Sequence, residues 1–149
     1  NITAGEVVQG GSTITQQLTK NLFLSQEQTL IRKTEEALLS LVMEQHYSKD
    51  QLLEIYFNTT YFGAGATGFK SAALTYFDKL PQEMQLAECA IIAALPYAPS
   101  ALNPLENPEG CKKRQRLVLH TMVKRGYIGT TLAEKTSAEP VFLANGATF

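Results

Sequence analysis

Apolar residues recur along this chain at helical spacing almost from end to end. Ile14, Leu18 and Leu22 fall four residues apart, so the spacing predicts a first helix with these three on its inner face. Its start lies near Ser12 or Thr13. Thr13 with Gln16 matches a capping box, in which the hydroxyl accepts from one backbone amide and the glutamine reaches back to another. Ser25 with Gln28 gives a second start signal. Beyond it, Leu30, Ile31, Thr34, Leu38, Leu41 and Val42 form one stripe, with Arg32, Lys33 and Glu36 on the polar side. Ser48 with Gln51 opens a third helix, which carries Leu52, Leu53, Tyr56 and Phe57 and runs to about Asn58.

The period then breaks. "YFGAGATG" places three glycines between Gly63 and Gly68, which reads as a turn or a loop of close backbone approach. It has neither the strand before it nor the Lys-Ser/Thr ending of a phosphate-binding P-loop. "KSAALTYF" resumes as a short helix whose small residues suit tight packing. "PQEMQLAECAIIAAL" reads as one central helix with Pro81 near its start. Four prolines from Pro96 to Pro108 mark an irregular connector. A helix follows from about Pro108 to Lys124, stopped by Arg125-Gly126, and a last one lies near Thr130 to Ser137. No convincing strand and no internal repeat is visible. The pattern predicts one all-α domain over 1–137, with 138–149 as an irregular tail or the start of a linker.

Composition narrows the function. The 149 residues suffice for one core. Only 18% are charged, which fits a protein offering uncharged polar or apolar surface. A net charge of −1 gives no basis for binding nucleic acid. The longest basic run, Lys112 to Arg116, reads as a solvated helix face. Cys89 and Cys111 show no metal-ligand spacing, and Cys89, in an apolar run, reads as a buried small residue. No apolar stretch reaches the ~18–20 residues needed to span a bilayer, and no signal peptide is present. The opening "NITAGEVVQ", without Met, reads as the middle of something longer.

Two clusters can carry chemistry. In "GGSTITQQLTKN", Thr13, Gln17, Lys20 and Asn21 share a polar face. The bland reading is a capped helix with a wet side. The functional reading is a cleft wall, because amides and hydroxyls both donate and accept toward sugar hydroxyls, while a lysine meets a phosphate as a point charge. In "RKTEE", Glu36 lies four residues from Arg32 and three from Lys33. The bland reading is a surface ion-pair cluster. The functional reading is a carboxylate held among cations beside a phosphorylated substrate. His46 and His120 are isolated and read as helix-surface residues.

These stretches together resemble the peptidoglycan glycosyltransferases of carbohydrate-active family 51, found in class A penicillin-binding proteins and in monofunctional enzymes. "GGSTITQQLTKN" is similar to their second signature and "RKTEE" to their third. "YSKDQLLEIYFNTTYFGAGATGFKSAALTYF", with Lys49, Glu54, Tyr56, Asn58, Gly63 and Gly68, is similar to the fourth. "LAECAIIAALPYAPSALNP" is similar to the fifth. The resemblance covers about Ile2 to Ile128.

It implies a lysozyme-like fold and an inverting transfer that polymerises lipid II into a nascent glycan chain, releasing undecaprenyl pyrophosphate. It implies a bacterial cell-envelope location on the outer face of the cytoplasmic membrane, with a membrane anchor in an upstream segment, and inhibition by moenomycin. Carried over, Glu36 takes the catalytic third-signature place, near the pyrophosphate and a divalent cation (Mg or Mn), with no organic cofactor. Lys20, Arg32 and Lys33 match the phosphate-binding cations. Ser12, Thr13, Gln16, Gln17 and Asn21 match the polar wall, and Asn58 with Glu54 match fourth-signature positions.

The chain departs from the family in three places. The first signature, Glu-Asp-x-x-Phe with its expected general base, belongs upstream of Gly10 and is not in this sequence. The resemblance therefore implies a piece that is inactive alone. The alternatives are a rewired transferase using Glu6 as base, or a non-catalytic saccharide- or moenomycin-binding module. Gln28 stands where an arginine directed at the donor phosphates is usual. Asp78 stands where glycine is usual.

Overall fold

Thr13 starts the first helix as expected. Its Oγ1 accepts from the Gln16 amide at 3.1 Å, and its own amide donates to Gln16 Oε1 at 3.1 Å. The computed structural model describes residues 2–3, 6–7, 12–23 and 29–148. Gly10, Gly11 and the Ser25–Gln28 start signal lie outside the described residues, as does the side chain of Glu6. The chain divides into two compact units, residues 1–59 and 60–149.

The first unit holds a two-residue strand β1 (Ile2–Thr3) antiparallel to β2 (Glu6–Val7), with Ile2 opposite Val7. No pattern along the chain signals this pair, because two residues are too few to show alternation. Three helices follow: α1 (Ile14–Phe23), α2 (Leu30–His46) and α3 (Lys49–Thr59). The cap of α2 is Thr29, whose hydroxyl accepts from the Arg32 amide at 3.1 Å. The predicted box opens α3: the Gln51 amide donates to Ser48 Oγ at 3.3 Å, and the Ser48 amide donates to Gln51 Oε1 at 2.8 Å.

Leu18, Met43, Leu52 and Tyr56 form the core of this unit, with Ile55 and Phe57 packed against it. The inner faces of α1 and α2 differ from the apolar stripes. Thr15, Leu18 and Thr19 are buried on α1, while Ile14 and Leu22 are exposed. Glu36, Ser40 and Met43 are buried on α2, while Leu30, Ile31, Leu38, Leu41 and Val42 are exposed. Two of the buried hydroxyls are tolerated because they bond back into their own helices. Thr19 Oγ1 donates to the Thr15 carbonyl at 2.8 Å and Ser40 Oγ to that of Ala37 at 2.8 Å.

The second unit contains α4 (Phe69–Phe77), α5 (Leu86–Ala94), α6 (Pro108–Lys124) and α7 (Thr130–Ala138). The predicted "PQEMQ" helix is split. Pro81–Glu83 is a single 3-10 turn, and α5 starts afresh at Leu86, where Glu88 Oε2 accepts from the Gln85 amide at 2.8 Å. Glu88 is buried, and its other oxygen takes Lys79 Nζ at 2.5 Å. Ala90, Leu119 and Ala133 join α5, α6 and α7 in one cluster.

The glycine loop is a close approach, as its composition implied. Gly63 has φ +92°, and a Cβ there would lie 2.6 Å from the Pro99 carbonyl oxygen and 2.8 Å from the Tyr76 hydroxyl. That hydroxyl donates to the Phe62 carbonyl at 2.9 Å. Gly126 stops α6 with φ +75°.

Lys112 to Arg116 is not the solvated face expected. Gln115 is fully buried and donates to the Ala87 carbonyl at 2.7 Å, Lys112 Nζ donates to the Glu139 carbonyl, and Arg114 lies 3.9 Å over the Tyr97 ring. Cys111 is buried, Cys89 only half-buried, and both are free thiols. The tail is irregular but anchored, with Val141 and Leu143 buried and the Ala144 amide donating to the Tyr76 carbonyl.

Candidate functional site

The turn that caps α1 sets its first polar side chains against the start of α2. Lys33 Nζ donates to Ser12 Oγ at 2.7 Å and also to Glu36 Oε1 at 2.5 Å. The Arg32 guanidinium lies 4.0 Å from Glu36 Oε2. Glu36 is 2% exposed, so this is not the surface ion-pair cluster of the bland reading. A buried carboxylate costs several kcal/mol unless it is paired, and here both oxygens face a cation.

The cations themselves are badly placed for stability. Arg32 and Lys33 lie at the start of α2, which has no acidic residue in its first turn. Cations at a helix N-terminus oppose the helix dipole by roughly 0.3–1 kcal/mol each. The site therefore concentrates positive potential. Two cations against one carboxylate leave a local net charge of +1, to which the amide end of α2 adds, with half of the Lys33 side chain open to solvent. Such a site suits phosphate oxygens.

A second strand of contacts reaches Ser12 from the other side. Gln17 Nε2 donates to the Ser12 carbonyl at 3.3 Å, and the Tyr56 hydroxyl donates to Gln17 Oε1 at 3.2 Å. The structure thus joins Ser12, Gln17, Arg32, Lys33 and Glu36, all expected at the site. Thr13 and Gln16 are adjacent but occupied in the cap. Lys20 is half-buried, and Asn21 and Asn58 are exposed; these three are not among the side chains so joined, nor is the exposed Glu54. Gln28 lies outside the described residues. Sequence reasoning placed Tyr56 in an apolar stripe and missed its hydroxyl, which bonds a partner 39 residues away with no local signal.

A divalent cation does not fit the described residues. Glu36 is a single carboxylate already committed to two cations, and no group of three or more His, Cys, Asp or Glu side chains gathers among the described residues. No helix among them is long and apolar enough to cross a membrane.

The signature segments that meet at Glu36 agree with wider comparison. The transglycosylase family model matches residues 1–123, and the chain belongs to that family. Among its relatives, the penicillin-binding protein 1A of Neisseria flavescens is 51% identical over 138 residues, covering 93% of this chain and 17% of that protein. That of Aquifex aeolicus is 48% identical over 141 residues, covering 95% and 19%. The crystal structure of penicillin-binding protein 1A from Haemophilus influenzae matches with a TM-score of 0.58 at 28% identity, over 89% of this chain and 17% of that one. The chain thus spans less than a fifth of the length of these relatives. The all-α, lysozyme-like class expected from the sequence holds.

Proposed function

We propose that this chain forms the donor-phosphate wall of a peptidoglycan glycosyltransferase. The parent protein polymerises lipid II into a nascent glycan chain at the outer face of the bacterial cytoplasmic membrane, held there by parts of the parent beyond this chain. The observation that carries the reading is the buried Glu36, which fixes Lys33 at 2.5 Å and Arg32 at 4.0 Å beside Ser12.

In the reaction, a sugar hydroxyl of one lipid-linked disaccharide attacks the anomeric carbon of the growing chain. The new C–O bond forms as the bond to pyrophosphate breaks on the opposite face, inverting the centre. Arg32 and Lys33 take the charge that develops on the leaving oxygen, and Lys20 extends the site along the second phosphate. Ser12 and the exposed Asn21 amide meet sugar and phosphate oxygens. The proton of the attacking hydroxyl goes to a base other than Glu36, which is committed to its two cations. Glu36 thus acts as a positioning group for Lys33 and Arg32. Moenomycin competes for the same cations through its own phosphate.

The test is Glu36→Gln in the full parent. It keeps the shape and removes the charge that holds both cations. Turnover of labelled lipid II is expected to fall on the order of a hundredfold, the scale of losing an electrostatic element at a developing charge. Near-normal turnover would assign Glu36 to packing alone.

A further inference from the structure

Gln17 sits in the polar wall, yet both ends of its amide are already engaged within the protein. Its oxygen accepts from the Tyr56 hydroxyl at 3.2 Å, and its nitrogen donates to the Ser12 carbonyl at 3.3 Å. We propose that Tyr56 is a positioning residue of the phosphate site, acting through Gln17 as a strut that fixes Ser12 and, through it, Lys33. The proposal rests on the reading above and adds to it a residue on α3.

The chemistry runs in one direction. A phenol donates one hydrogen bond, and an amide oxygen can only accept. The Ser12 carbonyl only accepts, so the Gln17 nitrogen must face it; the amide oxygen then faces the phenol, whose bond holds that orientation. Ser12, gripped at its carbonyl, presents Oγ to Lys33 at 2.7 Å. Among the described residues, Lys33 is otherwise held from the Glu36 side alone, at 2.5 Å. A lysine on a four-carbon stem with half its side chain exposed needs two such contacts to keep one position. The Tyr56 ring is 6% exposed within the core of Leu18, Met43 and Leu52. Its hydroxyl therefore has a fixed origin, set by packing on the far side of the strut. Packing alone would be satisfied by phenylalanine, which makes the hydroxyl separable from the ring.

The experiment compares Tyr56→Phe, Gln17→Ala, their double variant and Lys33→Met in the full parent, with labelled lipid II as substrate. Tyr56→Phe is expected to raise the KM for lipid II about three- to tenfold, the equivalent of one net hydrogen bond, with kcat changed less than about twofold. The melting temperature should stay within about 2 °C, because the ring and its contacts remain. In the Gln17→Ala background, Tyr56→Phe should add nothing, since the strut is already gone. An unchanged KM in Tyr56→Phe overturns the proposal, as does a loss that multiplies with that of Gln17→Ala. So does a loss that tracks a drop in melting temperature. Lys33→Met separates the two levels. If it keeps normal kinetics, the phosphate-site reading falls and the proposal with it. If it loses turnover while Tyr56→Phe does not, only the proposal falls.

Discussion

Replacing Gly63 by alanine tests how far the glycine loop depends on close approach. The methyl group would enter a space already filled by the Pro99 carbonyl oxygen at 2.6 Å and the Tyr76 hydroxyl at 2.8 Å. The carbonyl belongs to the backbone and cannot swing aside. The hydroxyl can, but then its bond to the Phe62 carbonyl is lost inside the protein. A buried group left unpaired costs ~1–3 kcal/mol. The backbone angle of +92° adds about 1–2 kcal/mol for any residue with a Cβ. Gly63→Ala should therefore destabilise by about 2–5 kcal/mol, a large share of the ~5–15 kcal/mol that holds a domain together. Gly65 is the internal control: its φ is +75°, but a Cβ there meets nothing within 4 Å. Gly65→Ala should cost only the backbone part, about 1–2 kcal/mol. Urea titration followed by circular dichroism reads both. Adding Tyr76→Phe to Gly63→Ala should recover part of the loss by removing one of the two clashing atoms. Equal costs for Gly63→Ala and Gly65→Ala would refute the reasoning, because the contact distances would then count for nothing.

Other outcomes follow from the same geometry. Asp78 ends α4 in the left-handed region, at φ +52° and ψ +40°, with its amide donating to the Ala73 and Leu74 carbonyls. Glycine is the residue that conformation favours, so Asp78→Gly should stabilise by about 0.5 kcal/mol in the same titration. Burial pushes the Cys111 thiol up from 9.0 to about 12, and the Tyr76 phenol, also chiefly by burial, from 10.0 to about 12. Both groups hold their protons more tightly when folded. Their contribution is whole below pH 9, declines as pH rises, and is gone above about pH 12. Stability should thus fall by ~1.4 kcal/mol per pH unit for each group within its window. Cys111→Ala should make that fall shallower by ~1.4 kcal/mol per pH unit between about pH 9 and pH 12, with the onset kept by Cys89, whose thiol is also raised by burial, measured by unfolding midpoints across alkaline buffers.

The helix starts at Thr13 and Ser48 were legible because each carries glutamine three residues on, a purely local signal. The start of α2 at Thr29 carries no such signal. Its cap, Thr29, has Arg32 in that place, so the cap is not reciprocal and leaves no box in the sequence. The inward faces of α1 and α2 were not legible, because periodicity counts apolar residues and these helices bury polar ones. Thr19, Ser40 and Glu36 are buried with their hydrogen-bonding needs met by a helix carbonyl, another helix carbonyl and two cations. The split at Pro81 turned on Glu88 reaching back to Gln85, which the apolar run around it concealed. At the candidate site, Arg32, Lys33 and Glu36 could be grouped by helical spacing alone. Gln17 was named on a polar helix face and Ser12 by resemblance, but their contacts needed the fold. The Tyr56 hydroxyl needed it entirely.

The central claim is that Lys33, set by Glu36 and Ser12, is a phosphate-binding group. The direct measurement is the affinity of the full parent for moenomycin as Lys33→Met, beside Lys113→Met as a control. Lys113 is an exposed lysine on α6, in the other compact unit. The account predicts at least about tenfold weaker binding for Lys33→Met, the scale of a lost charge-assisted hydrogen bond, and no change for Lys113→Met. Equal affinities in the two variants would contradict it.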